Sequence, residues 1–272
     1  MSAPTVATLR RDVAALRARV ALDRPALTAV EVAARSGLHL DGWQRRVATS
    51  AARNQILLCG RQTGKSSVAA VLAVHRATQV PGSTTIVTAP ALRQSQLLYA
   101  KVRALHRALG DAVPPIADES ALRLVLENGA TVIALPGTER TIRGHTAHLV
   151  IEDESARVSD DTFAAVVPML ATTGGQLILL SSPAGRRGHF HDLWMAADPA
   201  WERTTVTSYD VARIDAAWLD EQRRSLPDHR FRQEFLVEFV ETDDQAFRDD
   251  DVAAAVSADV QPLFVGGFGH AA

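Results

Sequence analysis

Along residues 41–240, short apolar runs alternate with stretches whose apolar positions recur every three or four residues. The runs Gln55–Cys59, Thr84–Ala89, Leu122–Glu127, Thr131–Leu135, Ala147–Asp153, Gln176–Ser181 and Thr204–Thr207 have strand length and predict strands. The stretches 65–78, 92–109, 160–171, 187–197 and 215–225 carry the helical period. Apolar strands separated by helices predict an α/β fold, a largely parallel sheet sandwiched by helices. Asn128-Gly129 lies between two strand patterns and signals a hairpin, because both residues tolerate the positive φ of a tight turn, so one antiparallel element is expected.

The two flanks read differently. Leu9, Val13, Leu16 and Val20 fall at helical spacing with Arg10, Arg11, Arg17 and Arg19 between them, and a second short helix is expected near 26–36. At the other end Glu241, Asp243, Asp244, Asp249, Asp250 and Asp251 are relieved only by Arg248, the pattern of a solvated linker. The expected division is an N-terminal helical arm at 1–38, one domain at 39–242, and an acidic linker and tail at 243–272.

Composition narrows the class. Cys59 is the only cysteine, which rules out an internal disulfide and fits a reducing compartment. No apolar run approaches the roughly 20 residues of a membrane span, and the arginine-rich N-terminus lacks the apolar core of a signal peptide. A soluble intracellular protein with no membrane role is expected. The net charge of −2 does not mark a nucleic-acid binder, although a local basic patch does that work on a neutral protein.

The candidate chemistry lies at two strand ends. Gly60-Arg61-Gln62-Thr63-Gly64-Lys65-Ser66 joins a buried strand to a helix, the context a phosphate-binding P-loop requires. Its backbone N–H groups and the positive end of the following helix suit an anion. Lys65 supplies a point charge to the β- and γ-phosphates, and the Ser66 hydroxyl is placed to ligate Mg²⁺. The usual first glycine of such loops falls at Cys59, so Gly60 is expected to provide the permissive turn. The second strand end is Ile151-Glu152-Asp153-Glu154, which delivers carboxylates to the crevice where α/β sheets bind ligands. Asp153 fits the carboxylate associated with Mg²⁺, and Glu154 the base that orients water for attack on the γ-phosphate. A helix cap is the competing reading of that acidic pair.

Taken in order, these segments resemble the ATPase domain of the large terminase subunit of tailed bacteriophages, a DNA-packaging motor. Asp41-Gly42-Trp43-Gln44-Arg45 resembles that family's adenine-recognition motif, with the Gln44 amide as donor and acceptor to the base. Cys59–Ser66 carries the family's arginine, Arg61, inside the loop; Thr141-Ile142-Arg143-Gly144 resembles its Arg-Gly element. Leu149–Ala156 resembles its acidic strand with catalytic glutamate. Leu180-Ser181-Ser182-Pro183-Ala184-Gly185 resembles its coupling motif, followed by Gly188-His189-Phe190 and Leu193.

The resemblance implies a RecA-like (ASCE) P-loop NTPase binding ATP and Mg²⁺ through Gln44, Gly60, Arg61, Gln62, Thr63, Gly64, Lys65, Ser66, Ser67, Asp153 and Ser182. Ser66 and Asp153 hold the metal, and Glu154, Arg61 and Arg143 are the catalytic residues. Arg61 either reaches the γ-phosphate or links to the acidic strand. Arg143 acts on a neighbouring subunit's ATP, with Arg140 as the fallback, or forms a salt bridge to Glu152. Double-stranded DNA, a portal, a small terminase subunit and a homo-oligomeric ring are the implied partners, in the cytoplasm of an infected or lysogenic bacterial host. Arg186, Arg187 and the helix bearing Arg93, Lys101, Arg103 and Arg107 are candidates for DNA contact. His145 and His148 have no further ligand nearby for a metal site, and His189 and His191 read as structural. The chain ends where the family's RNase H-like nuclease domain begins, so no nuclease activity is expected from it. Competing functions are a nucleotide-binding assembly module with little turnover and a helicase-like remodeller; a single P-loop counts against the latter.

Overall fold

The computed structural model describes residues 26–240 except Arg143. The expectations for the amphipathic stretch at 5–25 and for the acidic tail lie outside the described residues. Eight strands form one mixed, mostly parallel sheet in the order β3-β4-β5-β2-β6-β7-β1-β8. They are β1 (Asn54–Cys59), β2 (Thr84–Ala89), β3 (Ile116–Glu119), β4 (Arg123–Leu126), β5 (Thr131–Pro136), β6 (Leu149–Asp153), β7 (Gln176–Ser181) and β8 (Trp201–Val206). The six strands from β5 to β8 along that order are parallel, while β4 runs antiparallel to its neighbours β3 and β5. The β4–β5 hairpin turns at Asn128-Gly129, with Gly129 at φ 81°.

The helices are α1 (Ala29–Arg35), α2 (Gly42–Thr49), α3 (Lys65–Gln79), α4 (Leu92–Leu109), α5 (Glu139–Ile142), α6 (Asp160–Val166), α7 (Gly188–Met195), α8 (Ala216–Ser225) and α9 (Asp228–Phe235). The predicted helix at 160–171 stops being α-helical at Val166 and tightens into a 3₁₀ turn over Val167–Leu170, where Pro168 has no N–H for the helical ladder. Four elements were not predicted, among them α5, whose four residues are too few to show a helical period. β3 is too short and too acidic for its apolar alternation to register, α2 had been read only as a nucleotide motif, and α9 is polar on most of its surface.

Successive strand residues face opposite sides of the sheet. Leu57, Val87, Ile151 and Leu180 point to the side covered by α3 and α4, against Val71 and Leu98. Ile56, Ile86, Val150 and Leu179 point the other way, against Ile142, Val166 and Phe190. Each such side chain removed from water stabilises the fold by roughly 1.5–3 kcal/mol. Buried Ala69, Ala70, Ala73 and Ala77 let α3 lie close on the sheet. α1 starts with a Thr28–Glu31 capping box and buries Val32 and Ala33 in that same core, packed against α2, α3 and α4. Among the described residues no helix is long and apolar enough to cross a membrane.

This order fixes the site. β7 lies between β6 and β1, so the loop after β1, the Ser181-Ser182 exit of β7 and the acidic end of β6 line up along one sheet edge. By strand alternation Asp153 faces α3 and Glu152 faces the opposite layer.

Candidate nucleotide site

Cys59 ends β1 fully buried, and burial pushes its thiol up to about 12. The chain then turns into α3, whose N-cap is Gly64 at φ 95°. The other left-handed residue of the loop is Gln62, at φ 60°. Gly60 therefore does not supply the permissive turn expected of it. It is required by close approach: a Cβ there would stand 2.8 Å from Ser208 Oγ and 3.3 Å from the Glu234 carbonyl. The Thr63 hydroxyl donates to the Gly60 carbonyl at 2.9 Å and closes the loop from within. Gln44 donates its Nε2 to the Gly64 carbonyl at 3.0 Å and accepts from the Asp41 N–H at 2.8 Å. The acceptor it was expected to offer a base is thus engaged at its own helix cap. Arg213 donates to the Asp41 carboxylate and to the Thr63 carbonyl, tying α2 to the loop.

The acidic turn meets this loop from below. Ser66 Oγ donates to Asp153 Oδ2 at 3.1 Å, and Lys65 Nζ lies 3.2 Å from Glu154 Oε1. Burial raises the Asp153 carboxyl above its ordinary range, the Lys65 ammonium pulls it down, and Glu154 adds to the rise. Glu154 sits at φ 55°, and its N–H donates to Asp153 Oδ1 at 3.0 Å. Arg157 holds Glu154 from the far side, Nη1 to Oε2 at 2.8 Å, and also donates to Ser182 Oγ at 3.3 Å.

Several expected contacts fall elsewhere. Arg61 turns to α9, donating Nε to Glu234 Oε2 at 2.7 Å, which raises its guanidinium pKa further. It makes no bond to the acidic strand; Glu234 instead lies 3.9 Å from Arg157. Glu152 engages His189 and Ser155 through Oε1. Arg143 and the Arg140 side chain lie outside the described residues. Of the basic residues suggested for DNA, Arg103 and Arg107 are paired with Glu119, and Arg186 donates to the Phe239 carbonyl at 3.2 Å. Lys101 reaches the cleft.

Above the loop is a cleft of about 650 Å³, a volume suited to a small ligand. Gln44, Arg61, Gln62, Gly64, Lys65, Ser66, Ser67, Glu154 and Ser182 line it, while Gly60, Thr63 and Asp153 stand behind the lining. Arg157, Arg213, Lys101 and His39 line it too and were not proposed for the nucleotide; the one local signal was Arg157, three positions after Glu154. The donor set fits Mg²⁺, a hard cation that takes oxygen ligands and is commonly held by one carboxylate and substrate phosphates. Asp153 is a buried carboxylate with a hydroxyl at 3.1 Å, and among the described residues no cluster of three His, Cys, Asp or Glu offers an all-protein cage.

A parallel sheet with a phosphate loop after β1 and paired carboxylates two strands away defines a P-loop NTPase fold. The family model for the terminase large subunit, T4likevirus-type, N-terminal, matches residues 56–254, and the chain belongs to that family. It is similar to the terminase large subunit of Thermus phage G20c, 26% identical over 239 residues that cover 75% of this chain and 49% of that protein. The chain spans about half the length of the curated relatives it matches. In fold it resembles the large terminase ATPase domain of Thermus phage P74-26, with a TM-score of 0.70 at 24% identity over 76% of this chain and 97% of that one. The large terminase of a thermophilic bacteriophage in complex with ADP gives a TM-score of 0.62 at 14% identity, over 74% of this chain and 54% of that one.

Proposed function

We propose that this chain is a Mg²⁺-dependent ATPase whose turnover drives double-stranded DNA into a procapsid. The observation that carries the reading is the convergence of Lys65 with Glu154 at 3.2 Å and of Ser66 with Asp153 at 3.1 Å at the head of one cleft. Membership of the terminase large subunit family supports the packaging role, and the ADP complex of a relative with this fold supports the ligand.

In this reading the loop and the α3 N-terminus cradle the phosphates, and Lys65 neutralises charge on the β- and γ-oxygens. Ser66 and Asp153 hold Mg²⁺, which when bound supplies further charge neutralisation at the phosphates. Glu154 orients the attacking water and accepts its proton. Its two carboxylate oxygens are paired here with Lys65 and Arg157, so nucleotide must draw Lys65 away to its phosphates before Glu154 is free to act. Gln44 and the α2 cap border the base, Ser182 is placed to sense the γ-phosphate, and Arg61 and Arg143 supply the remaining positive charge. Arg143 acts on a neighbouring subunit, which requires a homo-oligomeric ring; a portal and a small terminase subunit are the partners, in the bacterial cytoplasm. A finger in trans contributes roughly 10³–10⁵ in rate.

A second reading, a nucleotide-binding assembly module with little turnover, has the doubly paired Glu154 in its favour. ATPase rate measured against protein concentration, with and without Arg143→Ala, tests both. The motor reading expects specific activity to rise with concentration and to be lost in the variant. A rate independent of concentration and of the substitution removes the trans role, and no turnover at any concentration removes the hydrolase.

A further inference from the structure

On the face of the sheet away from α3, a second polar cluster stands directly behind the acidic turn. Glu152 and Ser155, both at 0% exposure, flank the Asp153-Glu154 pair in sequence. Ser155 Oγ donates to Glu152 Oε1 at 2.5 Å. His189, the second residue of α7, brings its Nε2 to both: 2.9 Å from Glu152 Oε1 and 3.0 Å from Ser155 Oγ. We propose that His189 is a positioning residue for Glu154, acting through the buried ring it forms with Glu152 and Ser155. The proposal rests on the hydrolytic reading of the Glu154 site.

The turn needs such a hold. Glu154 lies at φ 55°, a left-handed conformation that a side chain with a Cβ enters at a cost of roughly 1–3 kcal/mol and keeps only where its surroundings determine it. Its immediate neighbours on either side, Asp153 and Ser155, are both buried, and two residues of the segment, Glu152 and Ser155, are gripped by one imidazole. Hydrogen bonds to a buried carboxylate are strong because there is no competing water. The grip is itself rigid. Phe163 stacks on the His189 ring with centroids 4.3 Å apart and planes 7° from parallel. Asp160 Oδ1 accepts from the His189 backbone N–H at 2.7 Å and faces Nδ1 at 3.2 Å.

Loss of the ring would strip one of the two polar partners from Glu152 Oε1, while Oε2 already lacks a hydrogen-bond partner among the described residues. A buried carboxylate so deprived moves or draws in water, and the residues joined to it move with it. Displacement of a reacting group by about 1 Å costs on the order of 10²-fold in rate. Nucleotide affinity is spared, because Lys65 and the loop lie on the other face of the sheet. His189 also opens α7 just after the loop leaving β7 at Ser182, so the same grip joins that loop to the acidic turn.

The test uses the full chain, with steady-state ATPase, binding of a fluorescent ATP analogue and thermal melting measured together. His189→Ala is expected to lower kcat about 10²-fold while the dissociation constant stays within about twofold. His189→Gln places an amide N–H where Nε2 was and is expected to restore most of that loss. Ser155→Ala, which removes one bond of the ring and little volume, is expected to lower kcat about tenfold, and it decides the matter should His189→Ala fail to fold. The proposal is overturned if the folded variants keep kcat within about threefold of the wild type, if Gln performs no better than Ala, or if affinity and turnover fall in equal proportion. Wild-type turnover with indifferent variants removes this proposal alone, whereas a wild type without turnover takes the hydrolytic reading with it.

Discussion

Lys65 Nζ stands 3.2 Å from Glu154 Oε1, although the two residues leave strands separated by β7. Both are largely buried, with side chains 12% and 22% exposed, so the pair is a built contact at the cleft head. Glu154→Gln keeps the shape and removes the proposed base, and turnover is expected to fall about 10²–10⁴-fold while ATP affinity survives. Lys65→Ala removes the charge proposed to meet the phosphates and is expected to weaken ATP binding by at least about tenfold. Titration of a fluorescent nucleotide beside single-turnover hydrolysis separates the two; an unchanged affinity in Lys65→Ala contradicts the loop assignment.

Arg157 joins the exits of β6 and β7 to α9. Its guanidinium reaches Glu154 at 2.8 Å, Ser182 at 3.3 Å and Glu234 at 3.9 Å. Arg157→Ala is expected to lower kcat about 10–100-fold with little change in nucleotide affinity, by freeing Glu154 on the side away from Lys65. Arg157→Lys is not expected to restore activity, since an ammonium cannot bridge these acceptors as the planar fork does. Equal loss in kcat and affinity would mean that Arg157 binds nucleotide directly.

Gly64 has two reasons to be glycine. Its φ is 95°, and a Cβ there would come within 2.6 Å of Gln44 Nε2 and 2.7 Å of an Arg213 guanidinium nitrogen. Gly64→Ala is expected to cost about 1–3 kcal/mol in backbone strain and to displace Gln44 and Arg213 from the loop. The checks are a lower melting temperature and a nucleotide dissociation constant raised at least about tenfold. Retention of both would show that the loop relaxes freely.

The sheet and the two ends of the cleft edge were legible because each is written in contiguous residues. Gln55 to Ser66 contains strand, loop and helix start in order, and Leu149 to Glu154 runs from apolar strand to carboxylates. What escaped is written in pairs far apart. Arg61 meets Glu234 across 173 positions and Arg213 meets Asp41 across 172, and nothing local to either arginine names its partner. Gly60 was misread for a related reason: its constraint comes from Ser208, which only the β1–β8 pairing brings near. His189 looked structural in isolation, and its bearing on the acidic turn emerges only once α7 is packed beneath β6. Local patterns specify elements; the contacts that tune a site are tertiary.

Asp153 carries a cost of burial. Burial raises its carboxyl pKa above the unfolded value, with Lys65 opposing and Glu154 reinforcing. For a carboxyl raised in the folded state, the folded chain binds the proton more tightly than the unfolded one. The stability tied to that proton is therefore fully present below the unfolded pKa, roughly 3.9, and is lost as pH rises through the higher folded value. Burial of this carboxyl is thus destabilising at pH values above the ordinary carboxylate range. Asp153→Asn keeps an acceptor for the Glu154 N–H, turns its amide N–H to the Ser66 hydroxyl, which can accept, and removes the charge. It is expected to raise the melting temperature at neutral pH, by roughly 2–4 °C for each kcal/mol relieved, while abolishing Mg²⁺-dependent turnover. The stabilisation should shrink as pH falls below the ordinary carboxylate range, where the wild-type side chain is neutral as well. Melting curves of both proteins at neutral and acidic pH decide it, and a variant less stable than the wild type at neutral pH would mean that Lys65 outweighs the burial of Asp153.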